Sequence, residues 1–173
     1  MIRNFRLRRL TEEDIPGMLE WMHDPEINRW FRFDPGKINE ESARRFIENS
    51  FTETARHYAV TDETGEYLGT ASLQEIDLEN SHATYSAGLR SCAIGSGAGS
   101  SALRIILRIA FEELGLKRVC SNVLAENTRS QRMLERCGMS YEGCFRSYVK
   151  INGEWRDLCW YAILREDYDG GNH

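Results

Sequence analysis

The stretch AIGSGAGSSALRIILRIAFEELGL (Ala93–Leu116) places glycines at alternate positions, 95, 97 and 99, directly before an apolar run. Glycine leaves backbone amides uncovered and adopts angles that other residues avoid. The apolar run predicts a helix over residues 98–114, closed by Gly115. A loop of this kind at a helix N-terminus offers unpaired N–H groups and the positive end of the helix dipole to an anion. The alternative interpretation is a flexible linker.

The segments around this loop predict an α/β (α+β) domain. Predicted strands cover residues 5–8, 56–60, 67–76, 82–89, 118–123, 140–150 and 155–164, and predicted helices follow Thr11, span 39–51 and 98–114, and run from Asn127 to Arg136. The order β-αα-βββ-α-β-α-ββ indicates a mixed, mainly antiparallel twisted sheet of about seven strands flanked by about four helices. Because a strand precedes the glycine loop and a helix follows it, an anion site is favoured over a linker.

Length and composition indicate an ordinary globular protein. A chain of 173 residues fits one domain, which we place at residues 1–168, with a frayed tail at 169–173. No apolar run approaches the roughly 20 residues of a membrane span. The first residues carry charge but no apolar segment of a signal peptide, so we expect a cytoplasmic protein without a membrane partner.

The number of cysteines and the net charge indicate which kinds of site and partner to expect. The five cysteines lack a CxxC pair and are odd in number, so we expect reduced thiols and no metal site. A net charge of −5 argues against nucleic acid as a partner and suits a cationic substrate such as an amine.

The glycine loop does not match the better-known nucleotide loops. It has no Gly-Lys-Ser/Thr, which argues against a P-loop. It cannot be aligned with GxGxxG, and antiparallel strands rather than a βαβ unit precede it. A second motif, VLAENTRSQRMLERCGM (Val123–Met139), follows one strand later.

The two motifs and the strand order together resemble the GNAT superfamily of acyl-CoA-dependent N-acetyltransferases over nearly the whole chain. The family pattern Arg/Gln-x-x-Gly-x-Gly/Ala corresponds here to Ile94–Gly99, with Ile94 in place of the leading Arg or Gln. Asn127-x-x-Ser130 and Gly138-Met139 also match. The resemblance implies a GNAT fold, acetyl-CoA as co-substrate, no metal, and direct transfer of acetyl to a primary amine by a monomer or homodimer.

The resemblance also implies a set of coenzyme A contacts. Loop amides would hold the pyrophosphate, and a strand edge before the loop would pair with pantetheine, although Gly88 could equally mark a β-bulge that needs no ligand. The implied residues are Ala87, Gly88, Leu89, Arg90, Ile94, Gly95, Ser96, Gly97, Ala98, Gly99, Ser100, Asn122, Asn127, Ser130 and Arg132. Arg132, like Arg129, could instead belong to a solvated helix face.

The family's catalytic groups are largely absent from the matching positions. The tyrosine that protonates the leaving thiolate in many relatives falls near Leu134. Some relatives have a glutamate just before the late Asn-Gly turn, where this chain has Val149. Other relatives have a glutamate on the strand before the glycine loop, where this chain has Thr84 and Ser86. A non-catalytic acyl-CoA-binding module is therefore the alternative function.

Ser130, Glu75 and Tyr148 are the candidate catalytic residues. The resemblance places Ser130 near the sulfur of coenzyme A, against the alternative of a helix cap. Glu75 could relay a proton through water, or it could be a solvent-facing strand residue. Tyr148 and Tyr85 could act as acids, whereas a buried tyrosine with one hydrogen bond is the ordinary structural explanation.

The acceptor amine stays open at this stage. YEGCFRSYVKINGEWRD (Tyr141–Asp157) is similar to the ending of RimL-type protein N-terminal and spermidine acetyltransferases, whereas LEWMHDPEINRWF (Leu19–Phe31) resembles sugar-nucleotide amine acetyltransferases. A protein N-terminus, a polyamine and an amino sugar or sugar nucleotide all remain candidates. Trp30, Phe31 and Trp155 are the candidate acceptor-binding residues, each with a core position as its alternative.

Overall fold

One mixed sheet organises the protein, and the computed structural model describes residues 4–170 of the chain. The strands are β1 (Arg6–Arg9), β2 (Ala55–Thr61), β3 (Tyr67–Asp77), β4 (His82–Leu89), β5 (Arg118–Leu124), β6 (Ser140–Ile151) and β7 (Glu154–Leu164). Their order across the sheet is β1-β2-β3-β4-β5-β7-β6. Only the central β4–β5 pair among these strands is parallel. The predicted seven-stranded, mainly antiparallel sheet is confirmed.

Five α-helices cover the two faces of this sheet. They are α1 (Ile15–His23), α2 (Pro25–Asn28), α3 (Glu40–Glu48), α4 (Ala98–Arg108) and α5 (Thr128–Arg136). The short helix α2 was not predicted; it begins because the side chain of Asp24 accepts a hydrogen bond from the N–H of Glu26. A π-helical turn, Ile109–Glu113, extends α4 towards Gly115. Together α4 and this turn cover most of the helix predicted over residues 98–114.

Apolar periodicity decides which helix covers which face. In α4, Ala102, Leu103, Ile106 and Leu107 recur at helical spacing and are buried against one side of the sheet. In α1, Met18 and Trp21 are buried in a second cluster, which includes Ala59 and Tyr67. Helices α4 and α1 belong to separate clusters, so each face of the sheet has its own apolar core.

The central parallel pair separates partway along its length. Pairing of β4 with β5 runs from His82–Arg118 to Tyr85–Ser121. Beyond that point β4 pairs with β3 on its other side, and β5 pairs with β7. The Ser121 hydroxyl donates a hydrogen bond of 3.1 Å to the Tyr85 carbonyl at the last shared pair. We call this separation point, between Tyr85 and Ser121, the fork.

The C-terminal part of the described chain packs on the domain. After a 3-10 turn at Arg165–Asp167, the ring of Tyr168 lies 5.1 Å from that of Phe111. Residues 171–173 of the predicted frayed tail lie outside the described residues, and the domain boundary at residue 168 stays a prediction. No helix within residues 4–170 is long and apolar enough to cross a membrane.

Candidate functional site

The fork opens into a cavity of about 480 Å³, here called the main cavity. Its walls come from both faces of the sheet, so the cavity passes through the gap between β4 and β5. On the α4–α5 side it is lined by Ile94, Gly95, Gly97, Gly99, Ser100, Asn127, Arg129, Ser130, Met133, Leu134 and Arg136. On the α1–α2 side it is lined by Glu26, Ile27, Trp30, Phe31, Arg32 and Gln74. The fork contributes Tyr85 to Leu89 and Ser121 to Leu124.

The glycine loop is an ordered turn that presents backbone amides. Gly95 and Gly97 have φ angles of +82° and +95°, a region that side chains disfavour. The Ser96 hydroxyl donates to the Ala93 carbonyl at 2.7 Å and accepts from the Ala98 N–H at 3.2 Å. Because these bonds fix the loop, the linker interpretation is wrong.

The first turn of α4 leaves N–H groups directed out of the helix. Its first i to i−4 bond runs from the Ser101 N–H to the Gly97 carbonyl. The N–H groups of Gly99 and Ser100 therefore precede the intrahelical ladder and face the loop. Helix dipole and free amides together favour a phosphate-type anion at this point.

A second cavity of about 560 Å³ lies on the same loop. It is lined by Phe5, Gly95, Ser96, Gly97, Ser100, Ser101 and Arg104. Arg104 was missed from the sequence. Arg104 could have been predicted from its position four residues after Ser100, because residues i and i+4 lie on the same face of a helix.

Gly88 serves the packing of α1. A Cβ at this position would overlap the indole ring of Trp21. Pairing with β3 is continuous from Gly69–Leu89 through Thr70–Gly88, so the alternative of a β-bulge at Gly88 is wrong. Ala87 and Leu89, on either side, line the main cavity at the strand edge.

Asn127 and Ser130 lie together at the start of α5. The Asn127 side-chain oxygen accepts a hydrogen bond of 3.2 Å from the Ser130 N–H and caps the helix. Ser130 is half-buried and lines the main cavity, and its hydroxyl has no protein partner within residues 4–170. One turn further, Leu134 is buried and closes the wall where the family's tyrosine is expected.

The two other candidate catalytic residues lie away from the main cavity. Glu75 sits at an irregularity of β3 with φ +52°, is exposed, and accepts a hydrogen bond of 2.7 Å from the Thr84 hydroxyl. Tyr148 is 51% exposed on β6, with its ring 5.2 Å from that of Phe145. Neither side chain lines the cavity, because register shifts in β3 and β6 displace them.

Several predicted binding residues are also placed elsewhere. Arg90 forms ion pairs of 2.8 Å with Glu20 and Glu66, which connect β4 to α1 and to the β2–β3 hairpin. Arg132 is on the exposed side of α5, and Trp155 is 62% exposed with the Lys150 amine 5.7 Å from its ring centroid. Ser96 lies at the second cavity, and Ala98 is fully buried and lines neither cavity.

The remaining predicted residues do line the main cavity. They are Ala87, Gly88, Leu89, Ile94, Gly95, Gly97, Gly99, Ser100, Asn122, Asn127 and Ser130, with Trp30 and Phe31 on the α1–α2 side. Gln74 and Ser86 were missed; the Gln74 amide donates to the Ser86 hydroxyl at 2.7 Å. The available signal for Ser86 was its position two residues before Gly88, because residues i and i+2 of a strand lie on the same face of the sheet.

Charge in the main cavity is predominantly positive. Three arginines, at positions 32, 129 and 136, line it, together with the carboxylate of Glu26. No histidine belongs to the lining of this cavity in the described chain. No cluster of three or more metal-ligating side chains is found within residues 4–170.

Tyr85 carries a buried hydroxyl without a partner. The residue is 3% exposed and occupies the fork. Its hydroxyl has no hydrogen bond within the described residues. Burial raises the pKa of this phenol well above its usual range, so the group is neutral. Unpaired buried hydroxyls are uncommon in folded proteins, because each forfeits a hydrogen bond to water.

Comparison with known sequences matches this chain to an acetyltransferase family. The acetyltransferase (GNAT) domain matches residues 4–140. An uncharacterized N-acetyltransferase, p20 of Bacillus licheniformis, is 28% identical over 169 residues, covering 95% of this chain and 94% of the relative. The ribosomal protein uS5 alanine N-acetyltransferase of Escherichia coli is 29% identical over 109 residues, covering 61% of this chain and 55% of the relative.

Structural comparison gives the same fold. A spermidine N-acetyltransferase from Vibrio cholerae, solved in complex with CoA and spermine, superposes with a TM-score of 0.86 at 22% identity. The match covers 95% of this chain and 97% of that chain.

Replacing Tyr85 with phenylalanine tests the unpaired hydroxyl. We expect Tyr85→Phe to raise the free energy of unfolding by about 1 kcal/mol, because it removes a buried polar group that has no partner. Tyr67→Phe is the matched control: the Tyr67 hydroxyl bonds to the Trp21 indole at 3.0 Å and to Thr70 at 2.8 Å. Its loss should destabilise by about 1–3 kcal/mol. Urea unfolding measures both, and equal destabilisation by the two variants would contradict the assignment.

Proposed function

The chain belongs to the GNAT acetyltransferase family, and we propose that the amine it acetylates is the α-amino group of a protein or peptide N-terminus. The protein is an N-acetyltransferase that uses acetyl-CoA and transfers acetyl to a primary amine. The observation that carries the choice of acceptor is the lining of the main cavity, which contains no histidine among the described residues and, on the α1–α2 side, one arginine, Arg32, against one carboxylate, Glu26.

A cavity lining without histidine favours an amine that is already partly neutral. Attack on a thioester requires an unprotonated amine. An α-amino group has a pKa of about 7.7–8.0, whereas an alkylamine of the lysine type has a pKa of about 10.4. At pH 7, roughly a tenth of the α-amine is neutral, against less than about a thousandth of the alkylamine. The α-amine therefore needs no protein base at this site.

Charge complementarity also argues against a polyamine. A polyamine carries several positive charges, and the α1–α2 side of the main cavity offers it a single carboxylate, Glu26, beside the positive charge of Arg32. A peptide N-terminus brings one amine, and its backbone carbonyls can accept hydrogen bonds from arginine. The relative that acts on an alanine of ribosomal protein uS5 supports this acceptor class.

The glycine loop and the fork fit acetyl-CoA. The free amides within residues 95–100, those of Gly95, Gly97, Gly99 and Ser100, would hold the pyrophosphate, and Arg104 in the second cavity would meet a further phosphate. The strand edge at Ala87 and Leu89, with Asn122 opposite, would meet the pantetheine amides. Ile94 stands where the family pattern has an arginine or a glutamine, so one polar side-chain contact to coenzyme A would be lost. The backbone donors of the loop remain in place.

Residues of the main cavity would then orient the reaction. Bound acetyl-CoA supplies the acetyl group as a thioester. Trp30 and Phe31 line the α1–α2 side, where the acceptor would enter, and solvent would take the proton of the amine. The Ser130 hydroxyl, which has no protein partner among the described residues, would donate a hydrogen bond to the leaving sulfur, and Asn127 holds Ser130 through the helix cap.

Alanine at Gly95 tests the anion site. Gly95 has φ +82° and no atom within 4 Å of an added Cβ, so the Cβ would meet no protein atom and would project into the open space beside the loop, where we place the anion. We expect Gly95→Ala to weaken acetyl-CoA binding at least tenfold, measured by calorimetry. Gly65→Ala is the matched control, because Gly65 has φ +91° and equally open surroundings on the β2–β3 hairpin. Both variants should lose about 1–2 kcal/mol of stability, and equal acetyl-CoA affinities would contradict the loop assignment.

Alanine at Ser130 tests the proposed hydrogen bond to the leaving sulfur. We expect Ser130→Ala to lower kcat at least about tenfold while KM for acetyl-CoA stays within about twofold, because the hydroxyl acts on the departing sulfur. Thr128→Ala is the control, since Thr128 is exposed in the same helical turn and does not line the main cavity. Steady-state kinetics with both variants checks this, and an unchanged kcat would leave Ser130 as a helix residue only.

An acceptor panel tests the proposed function itself. The purified chain is incubated with acetyl-CoA and release of coenzyme A thiol is followed at pH 7 with four acceptors. These are an alanine-initiated peptide, the same peptide with a blocked N-terminus and an internal lysine, spermidine, and glucosamine. We expect the free peptide to be acetylated fastest and the blocked peptide not at all. Faster turnover of spermidine or glucosamine would overturn the α-amine proposal while leaving the N-acetyltransferase activity intact.

A further inference from the structure

Two cysteines face each other across the β6–β7 hairpin, outside both cavities. Cys144 on β6 and Cys159 on β7 are register partners, and their Sγ atoms lie 2.7 Å apart. We propose that Cys144 and Cys159 form a reversible disulfide site, closed by a disulfide oxidant such as glutathione disulfide and reopened by a dithiol. This site is independent of the identity of the acceptor amine.

The backbone already satisfies the geometry of a disulfide. Directly opposed residues of antiparallel strands have Cα atoms about 4.5 or 5.5 Å apart. Both separations fall inside the range of about 4.4–6.8 Å that disulfides span. The sulfurs are already in contact, so bond formation requires only a small side-chain adjustment. No other pair of cysteine sulfurs within residues 4–170 is in such contact.

The pair lies at a weak point in the pairing of β6. This strand is at the sheet edge and has only β7 as a neighbour. Its register shifts between Tyr141 and Gly143 and again between Phe145 and Val149. Only the short segment from Gly143 to Phe145 is paired between these irregularities, and Cys144 is its central residue. A covalent bond at this position would hold the edge strand in a short paired segment that has an irregularity on either side.

Burial sets the order of the two chemical steps. Cys144 is half-buried, whereas Cys159 is 6% exposed and its burial raises the pKa of its thiol. Because Cys144 is the more accessible of the two, it meets glutathione disulfide first, and its thiolate forms a mixed disulfide with one glutathione and releases the other as thiolate. Cys159 then loses its proton and attacks the Sγ of Cys144, which forms the protein disulfide and releases the second glutathione. Two protein thiols are oxidised and one glutathione disulfide is reduced to two glutathiones.

The bond would stabilise the hairpin without altering the acetyl-CoA contacts. Neither cysteine lines the main cavity or the second cavity. Closing the loop between positions 144 and 159 restricts the unfolded chain and so favours the folded state. We therefore expect the oxidised protein to melt at a higher temperature and to show the same melting shift with acetyl-CoA as the reduced protein.

Peptide mapping of the full chain tests the site. The reduced protein is incubated with glutathione disulfide, quenched with an alkylating reagent, and digested without reduction. We expect a peptide pair linked through Cys144 and Cys159, loss of two alkylatable thiols, and a rise in Tm that dithiothreitol reverses. Cys92→Ser, at an exposed cysteine outside the hairpin, should behave as the wild type. Cys144→Ser should yield neither the linked peptide nor the rise in Tm.

Three outcomes would overturn the proposal. One is a stable glutathione adduct on Cys144 with Cys159 still alkylatable. Another is a linkage that involves only Cys92, Cys120 or Cys137. The third is an oxidised protein that melts at or below the temperature of the reduced one. If circular dichroism shows that Cys144→Ser folds poorly, Cys159→Ala removes the same bond from the other strand. It should likewise yield neither the linked peptide nor the rise in Tm.

Discussion

The loss of pairing between β4 and β5 beyond Tyr85 and Ser121 is the constraint on which the site depends. A parallel pair that continued to Leu89 would fill the centre of the sheet with hydrogen bonds and leave no gap. Beyond this point β4 stays paired with β3 and β5 with β7 on their outer edges only, so their facing edges keep free backbone groups. The glycine loop and the start of α5 both follow these strand ends, so two helix N-termini meet at one opening.

The parts of the site that follow from local sequence were predictable. The glycines at 95, 97 and 99 set the loop, and Asn127 caps α5 through a bond to the amide three residues on. Both features depend on residues adjacent in the chain. The seven strands were recognisable for the same reason, since β-prone residues and turn signals mark each one. Membership of the family followed from these motifs read together.

The misplaced residues depend on contacts that local sequence does not encode. The register irregularities in β3 and β6 decide whether Glu75 and Tyr148 face the cavity, and a one-residue shift moves a side chain to the other face. Arg90 is held by Glu20 and Glu66, which are distant in the chain. The positive charge of the main cavity arises in the same way, from arginines on α5 and on the segment after α2. Such charge becomes visible only when separate elements are brought together.

The main cavity is lined from both faces of the sheet, by the glycine loop on one side and by Trp30 and Phe31 on the other. With acetyl-CoA at the glycine loop and the acceptor beside Trp30, as proposed above, neither molecule would have to pass the other's entrance. Both could then be held at once, and each product would have its own exit. Such a ternary complex would need no acetylated enzyme, and obstruction would not impose an order of arrival. Saturation with one substrate would leave the route of the other open.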